Sequence, residues 1–237
     1  MTAAPPVTIR IVYRFEFGDG DVLEFPIVLD HASLGIMKQA RASYPDWTEL
    51  SYRKCPNCPL PGEGHPRCPI AENLVGVVDA FRDRLSYEEV GVAVDTPARR
   101  YSKRTTLQQA LGSMIGIYTV ASGCPVLDKL RPMLATHLPF MEPEESTYRM
   151  ISMYLMAQYF RLKRGLSADW AMEGFLSFLE EARQTNRAFC HRLQGLGIKD
   201  ASLNALAILN TLGEITSLQI EGDLNRLERI FSQHYGA

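Results

Sequence analysis

The chain has 237 residues, of which 46% are hydrophobic and 22% charged, with a formal net charge of -2 and a pI near 6.2. No overall basic field draws it to nucleic acid or an acidic membrane surface, and no apolar run reaches the roughly 18 residues that a membrane span needs. The composition is that of a globular protein able to bury its own core, with a protein partner or a second copy of the chain left open.

"MTAAPP" at residues 1–6 reads as a frayed end, without the charged segment and apolar run of a secretory signal, so the expected location is the cytoplasm. The next 23 residues, 7–29, predict a β-hairpin. In "VTIRIVYRFEF", Val7, Ile9, Ile11, Tyr13, Phe15 and Phe17 share one face, "GDGD" supplies the turn, and "VLEFPIVL" returns. "WTELSYRKC" predicts a second β segment leading into a cysteine-rich loop, and "EEVGVAVDTP" at 88–97 a third, with "RRYSKRTT" following it. The cluster Arg99, Arg100, Lys103 and Arg104 reads as a solvated strand or loop edge, with an anion or phosphate site as the sharper alternative.

From about residue 105 the apolar period changes from two to 3.6. "TTLQQALGSMIGIYTVAS" predicts an apolar helix ending at Gly123, and "CPVLDKLRPMLATH" a short one. "EESTYRMISMYLMAQYFRLKRG" has carboxylates in its first turn and basic residues in its last, matching the helix dipole. Ser167 is the expected cap of a helix running to Gly195, Asp200 of "ASLNALAILNTLGEITSLQ", and Asp223 of the closing "LNRLERIFSQH". The expected fold class is α+β: an N-terminal hairpin-led sheet with the cysteine loop over residues 1–104, then a mostly helical part over 105–237, sharing one core.

The chemistry concentrates in "KCPNCPLPGEGHPRCPI", residues 54–70. Cys55, Cys58, His65 and Cys68 form C-x₂-C-x₆-H-x₂-C, four possible ligands for a closed tetrahedral site. A second pattern competes. Cys55, Cys58, Cys68 and the distant Cys124 are each followed by proline, whereas Cys190 is followed by His191. In "RCPIAENL" and "SGCPVLDKL" the proline suits the first position of a helix, which makes Cys68 and Cys124 N-cap residues. The helix dipole is then expected to lower their thiol pKa values. The alternative ligand set is Cys55, Cys58, Cys68 and Cys124, with His65 outside it. Thiolates in this number suit zinc or a [4Fe–4S] cluster, though the spacing is not that of the clustered ferredoxin run. In a reducing compartment five cysteines point to metal, reactive thiols or packing rather than disulfides.

Elsewhere, "THLPFMEPEESTYR" sets His137 near Glu142, Glu144, Glu145 and Arg149, and His137 with Glu145 is the only acid–base pairing that suggests turnover. Phosphate-loop, dinucleotide, nucleophile-elbow and zincin motifs are missing. At "CPNCPL", "CPIAENL", "SGCPVLDKLRPM" and "HLPF" the chain resembles an uncharacterised family of bacterial proteins, a domain of unknown function, over nearly its whole length. That resemblance implies a soluble setting and no activity. The reading is therefore of a non-enzymatic protein with structural zinc and a role in interaction or regulation, its alternative an iron–sulfur redox or sensor protein.

Overall fold

The computed structural model describes residues 7–37, 41–221 and 224–235. Its fold is α+β: a four-stranded antiparallel sheet precedes a mostly helical half. β1 (Thr8–Phe17) and β2 (Val22–Asp30) form the expected hairpin, and β3 (Glu89–Asp95) and β4 (Arg100–Thr106) a second, in the spatial order β2-β1-β3-β4. The register pairs Tyr13 with Phe25 and with Val94. Pro26 is tolerated because β2 lies at a sheet edge, where a missing N–H breaks no central ladder. One face of the sheet is dry. Ile11, Tyr13, Phe15 and Phe17 of β1 and Val90, Val92 and Val94 of β3 are buried there, two residues apart as the pleat requires.

α1 (Pro69–Ala80) covers part of that face, and Phe81 at its end packs edge-on against Phe15 and stacks with Phe25, with ring centroids at 5.1 and 5.3 Å. α2 (Leu107–Val120) follows β4 directly and is buried along Leu107, Ala110, Leu111, Met114 and Ile115. α3 (Pro143–Lys163), α4 (Glu173–Gln194) and α5 (Ala201–Glu221) complete the helical part, α5 packing on α2, α3 and α4. A short α6 (Asn225–Glu228) runs into a 3₁₀ turn over Arg229–His234. One continuous apolar cluster extends from Ile11 in the sheet to Ile220 in α5.

Several local expectations change. "WTELSYRKC" is not a strand: Asp46–Thr48 is a 3₁₀ turn, and among the described residues the pairing nearby is the isolated bridge between Glu49 and Arg67. Its alternation reflects Trp47 and Leu50 dropping into the core from a turn that follows Pro45. "CPVLDKLRPMLATH" is a 3₁₀ run, Leu127–Thr136, because Pro132 removes a donor that a regular α-helix would use. Ser167 does not cap α4. Asp169 does: its carboxylate accepts the amides of Glu173 and Gly174 at 3.3 and 2.8 Å, and the Tyr154 hydroxyl at 2.7 Å. α3 opens with a reciprocal capping box between Glu142 and Glu145, and Asp223 lies outside the described residues.

Candidate metal centre

The cysteine loop is a closed ring clamped at its base. The Cys68 amide donates to the Thr48 carbonyl at 2.8 Å and the Leu50 amide to the Pro66 carbonyl at 2.9 Å, so both ends of the loop leave one point. Within it, the Cys58 amide donates to the Cys55 carbonyl at 3.1 Å, forming the tight turn that a C-x₂-C pair needs. Asn57, between the two cysteines, fastens this turn to α4, donating to the Glu181 carbonyl at 2.8 Å and the Thr185 hydroxyl at 3.1 Å. Cys68 is the N-cap of α1, with Pro69 in the first turn. Cys124 follows the end of α2 across Gly123, whose φ of +90° is cheap only for glycine, and its carbonyl accepts from Asp128 at 3.0 Å. The Ser122 hydroxyl accepts the Cys124 amide at 3.1 Å and fixes the turn.

The thiols of Cys55, Cys58, Cys68 and Cys124 lie within reach of one another's charge. Cys55 is influenced by the other three, Cys68 by Cys58, and Cys124 by both Cys58 and Cys68. His65 is exposed on the loop and takes no part in this set; Cys190, near the C-terminal end of α4, is raised by burial alone. The thiol of Cys55 donates weakly to the Thr185 carbonyl at 4.0 Å. Among the described residues no group of three or more His, Cys, Asp or Glu side chains is arranged to hold a metal ion.

Burial dominates the thiol chemistry. It pushes Cys55 up to about 12 and raises Cys68 and Cys124. The amides of Ile70 and Ala71 at Cys68, and of Val126 and Leu127 at Cys124, pull the other way, but desolvation outweighs them. Cys68 is an N-cap as expected, whereas Cys124 is not, since the 3₁₀ run after it is capped at Val126. The expected lowering of both pKa values is therefore reversed. These thiols are protonated at neutral pH unless something cationic binds.

One cation is already present. Arg192 of α4 is 1% exposed, and its Nη1 donates at 2.7 Å to the carbonyls of both Trp47 and Glu49, at the base of the loop. Its Nε is buried without a partner, and its guanidinium lowers the pKa values of Cys55 and Cys68. The sequence reading passed it over. The signal was available: Phe178, Ala182, Thr185 and Phe189 mark the buried stripe of α4, and the next position on that stripe is Arg192.

The second constellation is rearranged. His137 does not meet Glu145, whose carboxylate accepts the Glu142 amide at 2.9 Å as a helix cap. Its Nε2 instead lies 2.7 Å from the hydroxyl of Tyr13, which also meets Ser113 Oγ at 2.7 Å. Burial, and then the charge of Arg149, lower the His137 pKa to about 4.

A family model described as a domain of unknown function (DUF6901) matches residues 11–232. No curated protein and no solved structure matches the chain.

Proposed function

The chain belongs to this family of unknown function, and within it we propose a non-catalytic cytoplasmic protein whose Cys55, Cys58, Cys68 and Cys124 thiolates bind one zinc ion. The observation that supports the reading is that four Cys-Pro thiols, two from one turn of the loop, one from the start of α1 and one from beyond α2, lie within reach of one another's charge beside a buried guanidinium that has no carboxylate partner among the described residues. Four thiolates around a divalent cation leave a net negative complex, and Arg192 with the backbone amides directed at Cys68 and Cys124 supplies the compensation such a complex needs when buried. In the protonated state the Cys55 thiol turns to the Thr185 carbonyl, so binding requires loss of the thiol protons and side-chain rotation onto the ion. A filled four-sulfur shell leaves no site for water, and its role is to tie the loop, α1 and the end of α2 to α4. That assignment favours interaction or regulation over turnover.

Elemental analysis of protein purified with and without oxygen tests it, with about one zinc per chain expected. Cys55→Ser and Cys124→Ser should each lower the metal content, whereas His65→Ala should not. Retention of full metal by Cys124→Ser, with its loss from His65→Ala, would replace this set by the local one. Protein free of metal in every preparation overturns the proposal. The amides directed at the Cys68 and Cys124 sulfurs would equally suit a [4Fe–4S] cluster, and iron with acid-labile sulfide in brown protein would assign a redox or sensor role instead.

A further inference from the structure

A cavity of about 380 Å³ opens between β4, α2, the 3₁₀ run, α3, α4 and α5, and none of the four Cys-Pro cysteines lines it. Its volume falls in the range of small-molecule sites. The wall is apolar, with Leu130, Met133, Leu134, Phe140, Met150 and Leu179 among its residues. Its charge is one-sided: Lys103, Arg149 and Arg183 line it against the single carboxylate of Glu142, among the described residues. Lys103 is 3.6 Å from Glu142, and Arg183 pairs with Glu180 and Glu214. Among the described residues Arg149 has no such partner. Its hydrogen bonds to described residues leave from Nη2, to the carbonyls of Met133 and Thr136 and the Thr136 hydroxyl, and its Nε is buried and unpaired among them. His137 and Ser113, joined through Tyr13, add neutral polar atoms to the same lining.

We propose that this cavity binds a small amphipathic carboxylate, its apolar body against the leucine and methionine wall and its head on the Arg149 guanidinium. A planar fork with unspent donors in a half-buried setting matches a carboxylate better than a neutral head group. Neutral His137 beside it adds hydrogen-bonding capacity without a second charge to desolvate. Gly213 of α5 also lines the space, and a Cβ there would meet nothing within 4 Å, so a side chain at this position grows into the cavity.

Isothermal titration with octanoate and with octan-1-ol on the full chain tests the proposal. Octanoate should bind saturably, with octan-1-ol about tenfold weaker or more, the worth of a charge-assisted hydrogen bond. Arg149→Gln should bring octanoate down to the level of the alcohol. Gly213→Leu, which favours the helix, should abolish binding of both while leaving the melting temperature at or above that of the natural chain. Absence of saturable octanoate binding, equal affinity for acid and alcohol, or undiminished binding by folded Gly213→Leu each overturns it. Should Arg149→Gln fail to fold, the acid-to-alcohol ratio and Gly213→Leu decide between the outcomes.

Discussion

Lowering the pH should strain the fold at His137 before it reaches the carboxylates. In the folded protein burial and Arg149 hold this imidazole at about 4, against 6.5 when it is free. The groups facing it are the Tyr13 hydroxyl from β1, itself raised by burial, Ser113 beyond that hydroxyl on α2, and Arg149 from α3, none of which stabilises an imidazolium. Between these two pH values the unfolded chain binds a proton that the folded chain refuses, so stability is fully present above about pH 6.5 and falls as the pH drops toward 4. Integrated from about pH 7.5 to about pH 4.5, the loss amounts to about 2.5 kcal/mol. Asp19, Asp30, Asp169 and Asp200 are all held below their ordinary values, so the stability they contribute disappears lower down, beneath about pH 4. Urea unfolding followed by circular dichroism at four pH values in this window measures the slope. His137→Gln, which keeps an acceptor for Tyr13, should start lower and then lose about 2.5 kcal/mol less over the same interval. Parallel losses in the two proteins would refute the reasoning.

Because Cys55, Cys68 and Cys124 are raised by burial, zinc binding near pH 7.5 should release at least these three protons, read as a dependence of calorimetric enthalpy on buffer ionisation. Without metal, the same raised thiols should cost stability as the pH climbs from about 9 toward 12, and zinc should remove that alkaline loss. Arg192→Met leaves the Trp47 and Glu49 carbonyls without their donor and should lower unfolding stability by about 2–4 kcal/mol in a denaturant titration. Gly123→Ala forces a β-carbon into the left-handed region just before Cys124; a loss of about 1–2 kcal/mol is expected, together with weaker zinc retention against a chelator.

The hairpin was legible because alternation in "VTIRIVYRFEF" is a local signal that the sheet then satisfies with one dry face. "WTELSYRKC" carried a similar pattern without a partner strand, and backbone pairing is a property of two segments, so the reading failed where only the Glu49–Arg67 bridge forms. That Cys124 lies within reach of the charge of the loop's thiols could be suspected from the shared Cys-Pro pair. The ionisation of those thiols could not, since it depends on how deeply other parts of the chain cover them. His137 shows the same limit: its sequence neighbours are carboxylates, yet the group it meets is Tyr13, 124 positions away.

β4 is an outer strand of the sheet, and its exposed residues include three basic ones, Arg100, Lys103 and Arg104, held loosely by Asp95, Glu142 and Glu89 at 3.6 Å in each case. An incoming strand would have to bury those ammonium and guanidinium groups or strip them from their carboxylates before any ladder could extend. The cluster whose first reading in the sequence is a solvated edge thus works as a fence, discouraging sheet-to-sheet growth through the one rim that Pro26 does not interrupt.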